Sequence, residues 1–179
     1  MKRQNIIITT VITIAIITAI TLTLVFTLKD TEKTPEESSF VNEHAFVTLN
    51  QGQLQGSNNG DHYVFYGIPY AKPPVGNLRW KKPENPEPWD GVLNATVSGT
   101  GCMSDPEHPT APKTRSEDCL LLNIFMPDIA QVETHTLRPV MFWIHGGTWI
   151  HGYGSSPIYD GRHFVREESV IVVTINYNL

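Results

Sequence analysis

Val140-Met-Phe-Trp-Ile-His145-Gly146-Gly147-Thr148-Trp149 is the stretch on which the reading of this chain turns. Five apolar residues without alternation run straight into His-Gly-Gly, the pattern of a buried strand ending in a loop that exposes its backbone. Glycine reaches conformations that a side chain forbids, so such a loop can turn peptide N–H groups toward a ligand oxygen. Oxyanion holes of many acyl-transfer sites are built in this way. Within the 179 residues no Gly-x-Ser-x-Gly, the turn that presents a serine nucleophile, accompanies it.

Two more apolar runs flank this stretch. Leu120-Leu-Leu-Asn-Ile-Phe-Met126 reads as a strand ended by Pro127, and Val170-Ile-Val-Val-Thr-Ile175 as another, with a short helix expected between Gly161 and Glu168. Continuous β-branched runs suit strands covered on both faces, as in α/β sheets. Nearer the N-terminus, Ala45–Leu49, Gln53–Gly56 and Tyr63–Tyr66 are strand-like runs separated by Asn50-Gln51-Gly52 and Asn58-Asn59-Gly60-Asp61. These turn formers predict a small antiparallel meander. From Ile68-Pro69 to Pro88 the prolines exclude a helix, and the interleaved Tyr66, Tyr70, Leu78, Trp80 and Trp89 predict ordered irregular chain wrapped on a core.

The formal charge of −5 and the absence of a basic cluster other than Arg79–Lys82, itself interrupted by Trp80, argue against a nucleic-acid partner. Residues 5–28 hold no charge and are rich in Ile, Thr, Val and Leu. As a helix this segment would span about 36 Å, enough for a hydrocarbon core of roughly 30 Å. Lys2 and Arg3 precede it and Asp30, Glu32, Glu36 and Glu37 follow it. The expected organisation is a cytoplasmic N-terminus at 1–4, a membrane signal-anchor at 5–28, a polar stalk at 29–42 and an extracellular or lumenal domain at 43–179. A cleaved secretory signal is the competing reading; its apolar region should be shorter and end in a small-x-small site, which Val25-Phe-Thr-Leu-Lys29 does not offer. Both readings export the domain. Cys102 and Cys119 are an even count for an oxidising compartment, with bridged or unpaired thiols both open at this point. Asn94-Ala95-Thr96 has the form of an N-glycosylation acceptor.

Five segments together resemble the type-B carboxylesterase family, which includes cholinesterases. They are Tyr66-Gly-Ile-Pro-Tyr-Ala-Lys-Pro-Pro-Val-Gly-Asn-Leu-Arg-Trp80, Pro88-Trp-Asp-Gly91, Ser116-Glu-Asp-Cys-Leu-Leu-Leu-Asn123, Trp143-Ile-His-Gly-Gly147 and Val173-Thr-Ile-Asn-Tyr177. The resemblance runs from about Phe46 to Leu179 and implies an α/β fold: the N-terminal part of an α/β-hydrolase, the small meander plus the first strands of the central sheet. It implies Gly147 and Thr148 as the oxyanion-hole backbone amides, a Cys102–Cys119 disulfide and a structural ion pair between Arg79 and Glu117. At position 148 the family usually carries Gly or Ala; a β-branched residue there would be strained if φ must be positive. Cholinesterases hold a quaternary ammonium on a Trp between the matching cysteines. No Phe, Tyr or Trp lies between Cys102 and Cys119, which argues against choline esters.

The activity implied is hydrolysis of small-molecule carboxylic esters by a serine hydrolase, with no cofactor and no metal. No triad residue is assignable: the family's nucleophile, acid and histidine fall beyond the position matching Leu179. Neither His151 nor His163 has a recognisable nucleophile partner, and there is no His-Glu-x-x-His, Cys-x-x-Cys or phosphate loop. These residues alone are expected to be inert, and to leave a sheet edge and apolar faces uncovered. The alternative, from another class, is a non-catalytic adhesion or receptor ectodomain that keeps the fold and has lost the triad.

Overall fold

The computed structural model describes residues 45–109, 111–128 and 137–178, which belong to one compact unit, Ser38–Leu179. The expected membrane helix at 5–28 and the stalk at 29–42 lie outside the described residues. Asn50-Gln51 returns β1 (Phe46–Leu49) antiparallel onto β2 (Gly52–Gln55), with Leu49 opposite Gly52. The chain does not continue as a meander. After β3 (Ser57–Asn58), β4 (His62–Pro69) leaves for a second sheet, and the place beside β2 is taken in parallel by β5 (Val92–Asn94). The physical reason lies in β4 itself. His62, Tyr63, Val64 and Phe65 are all buried, so this strand needs cover on both faces, which a small surface meander does not provide.

The second sheet has the order β3-β4-β6-β8-β7, where β6 is Leu121–Pro127, β7 is Val140–Ile144 and β8 is Ile171–Ile175. β6 is antiparallel to both β4 and β8, whereas β7 and β8 are parallel. Parallel neighbours require a crossover, and α1 (Arg162–Glu168) supplies it. Alternation along the strands sorts their side chains onto two faces. Tyr63, Phe65, Ile68 and Met126 pack with Val47 and Leu54 under the small sheet, while Val64, Phe125 and Val172 pack on Val165 of α1. A third cluster joins Ala71 and Leu120 to Cys102 and Cys119.

β7 departs from the expectation of a strand covered on both faces. All five of its residues are exposed, including Phe142 at 54% and Ile144 at 61%. Among the described residues no strand neighbours its outer edge, where β7 ends the sheet. An apolar run specifies a strand that prefers burial, and nothing among the described residues covers it. No helix among these residues is long and apolar enough to cross a membrane.

Candidate oxyanion site

The parallel register of β7 and β8 sets Ile144 opposite Ile175, so both strands end at the same edge of the sheet. Their continuations, His145 and Asn176-Tyr177, therefore emerge side by side. Ligand sites of open α/β sheets form at such carboxyl ends. The Tyr177 ring stacks on His145 at 4.4 Å, and its hydroxyl donates to the His145 carbonyl at 2.5 Å. Its other edge meets Trp149 at 6.1 Å. One side chain just past β8 thus touches both ends of the glycine loop.

Within the loop, the carbonyls are held and two amides are not. His145 is buried, and its Nδ1 lies 2.9 Å from the Gly146 carbonyl oxygen. A carbonyl only accepts, so Nδ1 carries the proton and donates. Burial holds the imidazole below its ordinary value of 6.5, despite the opposing pull of that hydrogen bond. The Gly147 carbonyl takes three donors: the Thr148 hydroxyl at 2.8 Å, and the N–H groups of Ile150 at 3.0 Å and His151 at 3.2 Å. The N–H groups of Gly147 and Thr148 donate to no acceptor among the described residues. A trans peptide points its N–H opposite to its C=O, so fixing the two carbonyls also aims the two amides.

The backbone is strained where these amides lie. Gly147 has φ 136, and a Cβ there would overlap the His151 carbonyl oxygen. Only glycine fits. Thr148 and Trp149 follow with φ 54 and 64, two left-handed residues in succession. Each costs about 1–2 kcal/mol, and the β-branch makes Thr148 the rarer case. Strain of this kind collects at functional sites when surrounding contacts enforce it.

Some of those contacts come from the segment between the cysteines. The Asp105 N–H donates to the Ile150 carbonyl at 3.3 Å, and the His108 ring stacks on His151 at 3.5 Å, so the segment between the cysteines leans on the loop. Cys102 and Cys119 are joined by a disulfide that closes this segment, a constraint of about 3 kcal/mol in the chain-entropy account. Past the end of β8, Asn176 Oδ1 accepts from the Gly154 N–H at 2.7 Å, while its Nδ2 donates to the carbonyls of Thr100 and Cys119, tying the chain after the loop to the cysteine segment. Asn123 Nδ2 donates to Thr174 Oγ1 at 2.9 Å and to Ser155 Oγ at 3.2 Å. Buried and satisfied polar networks of this sort rigidify what they hold.

The other residues singled out in the sequence lie apart from the loop's amides. Arg79 and Glu117 form a 2.8 Å ion pair, exposed enough to be worth about 0–1 kcal/mol. Asn94 is exposed at the end of β5, and its Oδ1 accepts from the Thr96 N–H and hydroxyl. Among the described residues no group of three or more His, Cys, Asp or Glu is placed to hold a metal ion. The side chains of His145, Tyr177 and Asn176 had no role in the sequence reading. The signal that could have found them was the alignment of two apolar runs as parallel neighbours, which places their C-terminal ends together.

Known proteins share this architecture. The para-nitrobenzyl esterase of Bacillus subtilis is 44% identical over 140 residues, which is 76% of this chain and 28% of that protein. The juvenile hormone esterase of Tribolium castaneum is 40% identical over 147 residues, 79% of this chain and 24% of its own length. A solved PNB esterase superimposes with a TM-score of 0.69 at 43% identity, covering 76% of this chain and 28% of that structure. The carboxylesterase of Geobacillus stearothermophilus does so with 0.67 at 44%, covering 75% and 26%. The chain thus spans about a quarter of the length of the proteins it matches. With residues 43–179 matching the model of the Carboxylesterase family, the exposed pair of amides has its context: this chain belongs to that family.

Proposed function

We propose that the intact protein hydrolyses small-molecule carboxylic esters through an acyl-serine intermediate, and that this chain supplies its oxyanion hole. The observation that carries the reading is the pair of N–H groups at Gly147 and Thr148, aimed away from carbonyls that are already bound. As an ester carbonyl becomes tetrahedral its oxygen gains negative charge, and two preorganised donors stabilise that charge without reorganising. Loss of one such donor typically lowers turnover by about 10²–10³. The nucleophile, its histidine and its acid belong to sequence other than these residues, so the 179 residues alone are inert toward esters. The uncovered face and edge of β7 are where the remaining fold would pack.

In this reading the domain is exported, anchored through 5–28 or released as a secreted form, with Asn94 as a glycan acceptor. Its exposure and the Thr96 hydroxyl turned onto its side-chain oxygen support that role. A glycosidase-sensitive mass shift that vanishes in Asn94→Gln supports export; an unmodified Asn94 on secretory expression counts against it. The second reading, a non-catalytic ectodomain, draws on the left-handed, β-branched Thr148.

The direct test is an acetate titration of the isotope-labelled chain, acetate being a carboxylate of the product class. The Gly147 and Thr148 amide signals should move ahead of all others. Uniform small shifts across the chain would refute the oxyanion reading.

A further inference from the structure

We propose that His145 and Thr148 are positioning residues, each donating a side-chain hydrogen bond to the carbonyl of the peptide unit whose N–H serves as an oxyanion donor. The inference rests on the oxyanion reading of this loop and deepens it. Peptide 146–147 is set by His145 Nδ1, which binds the Gly146 carbonyl at 2.9 Å and so turns the Gly147 N–H the other way. Peptide 147–148 is held by the Thr148 hydroxyl, which binds the Gly147 carbonyl at 2.8 Å beside the N–H groups of Ile150 and His151 and helps turn Thr148's own N–H outward.

Thr148 is exposed and held at φ 54, a conformation that favours glycine. Nothing in packing rewards a β-branched side chain there. The hydroxyl does contribute something glycine lacks: a third donor on the carbonyl opposite the working amide, beside the N–H groups of Ile150 and His151. The departure at this position thereby becomes a device for fixing the peptide plane.

His145 works from the buried side. Its ring is sandwiched against Tyr177 at 4.4 Å, and the Tyr177 hydroxyl holds its carbonyl. Gly152 lets this arrangement close, since a Cβ there would press on both the Gly146 oxygen and the His145 ring. The hydrogen bond requires the Nδ1–H tautomer, because the Gly146 oxygen has no proton to give. Burial favours the neutral ring, and the Gly146 carbonyl selects its tautomer.

The test uses the full chain in detergent, with residual dipolar couplings reporting the N–H directions at 147 and 148, and acetate as the probe anion. Thr148→Ser keeps the hydroxyl; Thr148→Val keeps the shape and removes it. His145→Asn keeps a donor near the Nδ1 position; His145→Phe keeps the stacked ring and removes the donor. Native-like couplings are expected in Thr148→Ser and His145→Asn. Reoriented couplings are expected in Thr148→Val and His145→Phe, with acetate affinity lower by about fivefold, the scale of one lost hydrogen bond. Rescue by the donor-retaining variant is a readout that mere packing would not produce. Unchanged couplings in Thr148→Val and His145→Phe would overturn the proposal. Couplings that reorient as expected while acetate leaves the native amides unmoved would support the positioning role and defeat the oxyanion reading.

Discussion

β7 and the loop it feeds are contiguous in sequence and opposite in condition. From Val140 to Ile144 every residue is exposed, whereas His145, the next residue, is 2% exposed and bound through its ring, its Nδ1 and its carbonyl. Nothing among the described residues covers the strand. The loop is completed by its own residues, by Tyr177 and by the segment that the disulfide closes. A loop can therefore hold its peptide planes firmly beside a strand whose apolar surface the described residues leave uncovered.

The largest test of this contrast sets two phenylalanines against each other. Phe125, 3% exposed between α1 and the sheet, should cost about 3–5 kcal/mol when cut to alanine. Phe142, 54% exposed on β7, should cost no more than about 0.5 kcal/mol. Urea midpoints of the two variants decide it, and equal losses would mean that β7 is buried in solution.

Gly147→Ala tests the loop next. The added methyl must displace the His151 carbonyl at a φ of 136, so we expect a loss of about 1–3 kcal/mol by the same measurement, with the Gly147 and Thr148 amide signals displaced. Thr148→Val should cost about 1 kcal/mol for the lost hydroxyl bond. A stability gain in that variant would show that the bond is absent in solution.

The smallest expected effect is a pH slope. The folded-state pKa of His145 is lowered by burial, so the stability it contributes is present above its ordinary 6.5 and is lost as pH falls through the lower folded value. Asp61, lowered by its hydrogen bond to His62, and Asp160, lowered by Arg162, contribute with the same sign in more acid solution, below 3.8. His145→Asn should flatten the mildly acidic part of the urea-midpoint profile and leave the strongly acidic part intact. A slope unchanged by that substitution would place the titration elsewhere.

The legibility of these features in the sequence follows from how local their causes are. Val140-Met-Phe-Trp-Ile-His-Gly-Gly can be read as strand and loop because periodicity and glycine act over a few residues. The Leu121–Pro127 and Ile171–Ile175 strands were legible for the same reason. The meander was not: β2 exchanges its expected neighbour for β5, almost forty residues later, a choice set by the burial demands of β4 rather than by any turn. An uncovered sheet edge and apolar faces were expected, but that β7 is the strand concerned was not, since composition records a preference for burial and not where it goes unmet. Gly147 and Thr148 became candidate donors only through resemblance to a known family. The ties from His145 and Tyr177 depend on strand register and on the direction of individual donors, which no spacing rule conveys.

The most direct measurement of the central claim is turnover by a chimera. In the para-nitrobenzyl esterase of Bacillus subtilis, the segment matched by this chain would be replaced by its counterpart here, placing Gly147 and Thr148 beside that enzyme's own remaining residues. If the two amides form a working oxyanion hole, the folded chimera should retain ester hydrolysis within about tenfold of the parent. A chimera that melts cooperatively yet loses about 10²-fold or more in turnover would contradict the account.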